Sequence, residues 1–332
     1  MSFGVIGVEH DHIYAMVDGL TEGGADLVGF SAESDATRTA FQRRYGKPVM
    51  ATEAVLDLPG VSLIVTAATP LRRAEIGIAA MSHGHDVLSA KPGIISLEAL
   101  EQVRKAEQST GRRFMIWYSE RLASPATLRA IDLTHQGAIG EVVQVMGLGP
   151  HRLDRERRPD WFMHPHLAGG ILTDLASHQT DQFLHFTRCR SVTVASSATA
   201  NHANADFPQF NDYGEISLVG GKARGFARVD WLSPEGLGAW GDSRTLVTGT
   251  TGYLEVRRTI DLAGRPGGDH LFIVDRSGLT YLDCSAQPRP FFADLTSDIS
   301  DRTDTAGDSA TGLLAAELAI RAQMNADAPG DC

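Results

Sequence analysis

Asp174 and His178 lie four residues apart in Gly169-Gly170-Ile171-Leu172-Thr173-Asp174-Leu175-Ala176-Ser177-His178-Gln179-Thr180-Asp181. If this stretch is helical, spacings of four to His178 and seven to Asp181 stack a carboxylate, an imidazole and a second carboxylate along one face. That is the layout of an oriented general base, able to take a proton from a bound molecule and return it. The two glycines give the chain a tight turn into the segment. A histidine on an otherwise apolar helix is more often a satisfied core residue than a catalyst, and the chemical reading gains weight from a second group far upstream, Lys91 in Ser89-Ala90-Lys91-Pro92. Taken singly, Lys91 reads as a solvated strand-end lysine and Asp174 as a helix N-terminal acid favoured by the dipole. Taken together they favour a site.

The elements that must position these residues follow from composition and pattern. With 332 residues, 42% hydrophobic and 21% charged, the chain can bury a sizeable core and is expected to split into two domains. A formal net charge of -11 argues against a nucleic-acid surface. Cys189, Cys284 and Cys332 form no Cys-x-x-Cys pair and are odd in number, which suits a reducing, cytoplasmic setting. The first residues enter a strand at once, and no apolar run approaches membrane-spanning length, so neither export nor a membrane is expected. Residues 1–120 alternate strand-like and helix-like pieces: strands at 3–8, 26–31, 61–66, 86–89 and 113–117, and helices at 12–22, 37–45, 74–83 and 97–110. This predicts an α/β domain with a doubly wound parallel sheet. Residues 121–332 read as an α+β domain with an open, mostly antiparallel sheet, three helices near 122–136, 171–187 and 310–323, and a loose tail from 325.

The N-terminal strand runs into Gly4-Val5-Ile6-Gly7-Val8-Glu9-His10-Asp11-His12, the place where a doubly wound fold puts its phosphate loop. Such loops read Gly-x-Gly-x-x-Gly or Ala. Here Gly7 holds the first glycine's place, Glu9 the second and His12 the third. A carboxylate there repels a pyrophosphate unless Glu9 points away, while His10, His12 and the helix N-terminus could donate to an anion. His10-Asp11-His12 supplies at most two good metal ligands with no partner motif, so capping by Asp11 and surface histidines are the plainer reading and no metal is expected. At the end of the second strand, where an acid often grips the adenosine ribose, stand Ala32 and Glu33. Glu33 could serve the ribose of NAD, or Ser31, Ser34 and Arg38 could cradle the additional phosphate of NADP; that choice stays open.

Gly4-x-x-Gly7, Ala68-Thr69-Pro70, Gly84-His85-Asp86-Val87-Leu88-Ser89-Ala90-Lys91-Pro92 and Gly169-Gly170 with Asp174, His178 and Asp181 come in order and at plausible spacing over nearly the whole chain. In these the chain resembles the glucose-fructose oxidoreductase / inositol dehydrogenase / MocA (Gfo/Idh/MocA) family. The resemblance implies a Rossmann domain followed by an α+β domain, NAD or NADP as cofactor, and oxidation or reduction of a sugar or polyol. The family's Glu-Lys-Pro stands here as Ala90-Lys91-Pro92, so the lysine carries over and the glutamate does not. Its implied cofactor contacts fall on Gly7, Val8, Glu9, His10, His12, Ala32, Glu33, Ser34, Arg38, Ala68, Thr69, Pro70, Lys91 and Pro92. Oxidising a secondary alcohol needs a base, a positive group for the developing alkoxide, and a hydride carrier held in place. His178, with an ordinary pKa near ~6.5, suits the first role. Lys91 suits the second, and Asp174 would fix the imidazole or accept a substrate hydroxyl.

Specificity is expected from the second domain, where His151-Arg152-Leu153-Asp154-Arg155-Glu156-Arg157-Arg158-Pro159-Asp160-Trp161-Phe162 offers hydrogen bonds and a flat face of the kind a carbohydrate needs. The balanced charges also fit a solvated loop. His151, Arg152, Trp161 and His270 join Asp174 and His178 as substrate-side candidates, while Trp231 and Trp240 read as core or interface residues. The resemblance further implies a homodimer or homotetramer pairing through the open sheet face. Two other functions fit the same residues: a redox-neutral glycosidase or epimerase that retains NAD through transient oxidation, and a non-catalytic regulatory or binding protein on the same scaffold.

Overall fold

The computed structural model describes residues 1–328. It falls into two compact units, Met1–Trp117 with Pro290–Leu313, and Tyr118–Arg289 with the chain from Leu314 onward. In the first unit β1 (Ser2–Ile6), β2 (Asp26–Ser31), β3 (Val61–Thr66), β4 (Asp86–Ala90) and β5 (Phe114–Trp117) form a parallel sheet in the order β2-β1-β3-β4-β5. Every residue of β4 and all but one of β3 are buried, as strands covered on both faces require. Helices His12–Glu22, Asp35–Tyr45, Pro70–Ser82 and Leu97–Thr110 fill the crossovers, with a short helix, Thr52–Leu56, that the pattern did not foretell. The strand order reverses direction between β1 and β3, and such a switch opens a crevice at the carboxyl ends of the strands.

Residues 290–313 belong to this first unit, outside the expected boundary at residue 120. The helix Phe291–Asp301 is absent from the sequence reading because its Asp, Ser and Thr residues are poor helix formers. Packing makes it. Phe292 lies over Gly19, where an added Cβ would come within 2.2 Å of the ring, and its centroid is 5.7 Å from that of Trp117. The Arg302 guanidinium donates to the buried carboxylate of Asp86 at 2.5 Å and to the carbonyl of Gly111 at 2.7 Å. Asp298 closes the following loop, accepting from the Thr303 hydroxyl, the Thr305 backbone and hydroxyl, and the Ala306 backbone.

In the second unit β6 (Val142–Pro150), β7 (Thr193–Ala200), β8 (Tyr213–Gly220), β9 (Ala223–Asp230), β10 (Arg244–Gly249), β11 (Tyr253–Arg257), β12 (His270–Asp275) and β13 (Gly278–Asp283) make an open sheet in the order β13-β12-β11-β10-β6-β9-β8-β7. Among the described residues of this sheet only β6 and β9 pair in parallel. Burial alternates along β8, the signature of a sheet with one packed face. On that face the helix Ser177–Thr187 comes close to β6 because Gly147 and Gly149 leave room for Gln179, whose side chain a Cβ would meet at 2.6 and 2.8 Å. On the other face one row crosses the sheet as Tyr281, Phe272, Glu255, Leu246, Met146 and Phe226. The last helix runs Ser309–Asp327, so the expected tail is helical as far as Asp327; residues 329–332, with Cys332, lie outside the described residues. Among the described residues no helix is long and apolar enough to cross a membrane.

Burial opposes ionisation of Asp298, but its hydrogen bonds from Thr303, Thr305 and Ala306 hold the carboxyl at about 2 against an ordinary value of 3.8. A carboxylate depressed on folding stabilises above its unfolded value and loses that contribution as pH falls through the folded one. Asp298→Asn is therefore expected to lower stability by about 1–3 kcal/mol at neutral pH. In thermal melts its deficit against the parent should shrink as pH drops from about 4 towards about 2; a deficit independent of pH would contradict the charge argument.

Candidate active site

Gly7 ends β1 at φ +84, a conformation that favours glycine. A Cβ added there would stand 2.4 Å from that of Ala68, so the loop after β1 can run against the loop after β3 only without a side chain. Three backbone bonds stitch this edge: Gly7 N–H to Ser31 O, Ala67 N–H to Gly7 O, and His10 N–H to Ala67 O, each at 3.0 Å. Val8, Ala67 and Ala68 are buried, and Thr69 and Pro70 open the helix Pro70–Ser82. The expected cap from Asp11 is not made; instead His10 Nδ1 accepts the His12 N–H at 3.1 Å. The rings of His10 and His12 meet edge-on at 4.2 Å, and His12 also faces Trp117 at 5.5 Å.

Glu9, in the second glycine's place, turns towards the end of β2. Its Oε1 accepts the Glu33 N–H at 2.9 Å. Burial pushes this carboxyl above its ordinary value, the Glu33 charge adds to the rise, and the backbone N–H groups of Glu33, Glu9 and Ser34 oppose it. The loop, with no glycine after Gly7, thus retains the fit for a dinucleotide that the sequence put in question: Gly7 supplies the close turn, and the carboxylate is drawn aside. Around Glu33, Arg72 lies 3.9 Å from its carboxylate and 3.2 Å from that of Glu75, and Arg38 pairs with Asp35. Ser31 Oγ is 3.2 Å from Thr52 Oγ1, and Ala32 is half-buried between these residues in the chain.

Lys91 is not a solvated strand-end lysine. It is 5% exposed at the carboxyl end of β4, before a cis bond to Pro92. What holds its backbone is Arg73, which the sequence reading missed. Fully buried on the helix Pro70–Ser82, Arg73 donates to the carbonyls of Ala68 (2.6 Å), Ala90 (3.0 Å) and Lys91 (2.6 Å). One guanidinium thereby fixes the ends of β3 and β4 together, in a chain that has alanine where the family places glutamate. No local pattern singles out an arginine inside a helix as a clamp on residues up to eighteen positions away.

In the second unit Gly169 and Gly170, at φ +98 and +83, turn the chain as expected into a buried helical segment. That segment begins with a widened π turn, Leu172–Ala176, before the α-helix Ser177–Thr187. The wider turn rotates Asp174 relative to His178 away from the assumed α register. Gln323 supplies the acceptor for Leu172 N–H at 2.8 Å. His178 is 2% exposed, with the Tyr118 ring edge-on at 6.2 Å. Asp181 has another task than backing an imidazole at position 178. Burial would raise its pKa, but Arg121, bonded to both oxygens at 2.7 and 2.9 Å, and His185 lower it below the ordinary carboxylate value. Beside it, Glu120 accepts from Gln179 at 3.0 Å and Arg258 at 3.1 Å, with His151 Nε2 3.5 Å away.

Asp174 lines a shallow recess with Phe162, Gly170, Phe210, Asn211 and Trp231 among its walls. Trp231, read from sequence as core or interface, is both buried and part of this wall. Phe210 and Asn211 escaped notice because they stand on a loop whose shape is set by Asp212, which accepts from His202, Ala203 and Asn204. The other substrate-side candidates lie apart from the recess lining. His151 is buried against Trp231, its Nδ1 3.0 Å from Gly149 O; Arg152 lies over Trp240; and half-buried Trp161 packs on Phe162. His270 has one nitrogen 2.9 Å from the Tyr281 hydroxyl and the other 3.1 Å from Gly267 O, the bonding of a sheet residue.

A unit with a parallel sheet of this order and a glycine turn at its switch point, and a second unit with an open antiparallel sheet and a buried Asp and His, define a two-unit dinucleotide-fold oxidoreductase class. The C-terminal domain of the GFO/IDH/MocA family matches residues 127–255. A solved protein of Erwinia carotovora atroseptica assigned as an oxidoreductase is 36% identical over 98% of this chain and 99% of its own, with a TM-score of 0.95. The chain belongs to the Gfo/Idh/MocA family of oxidoreductases. Its fold is also similar to that of an assigned oxidoreductase from Thermotoga maritima (TM-score 0.86, 20% identity, 99% and 98% covered). A levoglucosan dehydrogenase in complex with NADH and levoglucosan is likewise similar (TM-score 0.83, 16% identity, 98% and 97% covered). Among curated proteins no match is found.

Replacing Arg73 by Met should leave the carbonyls of Ala68, Ala90 and Lys91 without their charged donor, at a loss of about 3 kcal/mol or more in urea denaturation. A loss under about 0.5 kcal/mol would contradict its role as the clamp.

Proposed function

We propose that the protein is an NAD(P)-dependent dehydrogenase or reductase that acts on a hydroxyl or keto carbon of a sugar, polyol or related small molecule. The observation that carries this reading is the join of the glycine turn at Gly7 with the clamped, buried Lys91 at the same carboxyl edge of the parallel sheet, in a chain of this family. Ligands of doubly wound sheets bind at that edge. Residues Gly7 to His10, Glu33, and Ala68 to Pro70 would hold the dinucleotide, whose nicotinamide supplies the hydride acceptor or donor. We assign His178 to proton transfer at the reacting oxygen, Lys91 to stabilising negative charge on that oxygen, and Asp174 to a substrate hydroxyl. The aromatic walls around Asp174, with the Asn211 amide, suit the apolar face and hydroxyls of a sugar ring. The Erwinia protein's assignment and the NADH and levoglucosan of the similar dehydrogenase support the same reading.

Titration with NAD, NADH, NADP and NADPH, followed by turnover on a panel of sugars and polyols, tests it. Lys91→Ala and His178→Asn should each lower kcat by about 10²-fold or more while binding of the dinucleotide persists. Turnover without net change in nicotinamide absorbance would favour redox-neutral chemistry at the same residues. Binding without turnover, indifferent to Lys91→Ala, would favour a regulatory protein.

We also infer self-association, as a homodimer or homotetramer, through the open sheet face. Phe272, Leu246, Met146 and Phe226 stand in one row on it and stay half-exposed in a single chain. Light scattering should give a multiple of 35.7 kDa for the parent and a shift towards the monomer for Phe226→Asp; a monomeric parent would overturn the inference.

A further inference from the structure

We infer, resting on the reading that the protein binds a nicotinamide dinucleotide, that Glu9 is a built-in anion filling the place where the 2′-phosphate of NADP would have to bind, and that this residue selects NAD(H) over NADP(H). In a doubly wound fold the group after β2 meets the adenosine ribose: an acid there bonds the 2′-hydroxyl, and positive or N–H groups there receive a 2′-phosphate. In this chain the first backbone donor beyond that point, Glu33 N–H, is already taken by Glu9 Oε1 at 2.9 Å. The remaining groups that could cradle a phosphate are also engaged. Ser31 Oγ is within hydrogen-bond distance of Thr52 Oγ1, Arg38 is paired with Asp35, and Arg72 lies between Glu33 and Glu75.

Charge sharpens the point. Glu33 and Glu75 flank Arg72, Asp35 pairs with Arg38, and Glu9 adds a fourth carboxylate on the Glu33 backbone. A dianionic phosphate would enter a locality with no cation in excess and would have to displace a carboxylate from its backbone donor. A neutral ribose diol meets no such opposition and finds carboxylate oxygens to accept its hydroxyl protons. Burial already pushes the Glu9 carboxyl up, and a second anion beside it would raise it further. Glu9 therefore has a role that a second loop glycine could not perform. A glycine permits approach, whereas the glutamate permits it and also reads the ribose.

The test is a titration of the intact protein with NADH and NADPH, followed by nicotinamide fluorescence and calorimetry, for the parent, Glu9→Gln and Glu9→Gly. Glutamine keeps an acceptor for Glu33 N–H and removes the charge, so it separates electrostatic selection from simple loop bracing. The parent should bind NADH about a hundredfold more tightly than NADPH. Glu9→Gln should tighten NADPH about tenfold or more and weaken NADH, so that the preference for NADH falls by about tenfold or more. A parent that binds NADPH as tightly as NADH would overturn the inference and leave the dinucleotide reading standing. So would a Glu9→Gln protein, folded by circular dichroism, whose NADH-to-NADPH ratio equals the parent's. Failure of the parent to bind any nicotinamide dinucleotide removes the underlying reading and this one with it.

Discussion

A single buried guanidinium carries the main constraint on the first unit. Arg73 has no exposed surface, and burying a cation is tolerable only when its donors are met. Three main-chain carbonyls accept from its Nε and Nη1: that of Ala68, two residues after β3, of Ala90 at the end of β4 and of Lys91 just after it. The carboxyl ends of two neighbouring strands are thus locked to the helix between them. The Gly7 turn then rests on Ala68, and the β1 loop on the carbonyl of Ala67. Lys91 inherits its position from the same clamp.

The second unit solves a similar problem with carboxylates. Glu120 and Asp181 are both buried, and each is compensated by an arginine, Arg258 for one and Arg121 for the other. A buried pair contributes little net stability but strongly penalises any arrangement that separates it. Together with Gln179 on Glu120, these pairs fix the rotation and depth of the helix Ser177–Thr187 over β6. His178 therefore projects from a segment with little freedom to turn. The residue that looked like the third member of a catalytic row, Asp181, is the residue that holds the row's helix in place.

Several side chains with the right chemistry for a ligand are also bonded within the fold. His270 is absorbed by Tyr281 and Gly267, and His151 sits against Glu120 and Gly149. Glu9, the residue most at odds with a phosphate loop, is neither damage nor decoration, since its carboxylate is held by the backbone beyond β2.

The sequence by itself determined the class of each unit. The apolar run of β3 and the alternation in β8 are local patterns, and local patterns are legible without coordinates. It also made Asp174, His178 and Lys91 stand out, because their types and spacing are unusual in purely structural segments. What the tertiary structure alone decided was everything that depends on contacts far apart in the chain. The return of residues 290–313 to the first unit depends on Gly19, Asp86 and Arg113, none of them near in sequence. The clamp at Arg73, the diversion of Asp181 to Arg121 and the direction of Glu9 are choices among partners that a one-dimensional pattern cannot rank. The widened turn at Leu172–Ala176 is a local event, yet the spacing of Asp174 and His178 is the same in either helix type. Spacing reports which residues can share a face; only packing settles which partner each of them meets.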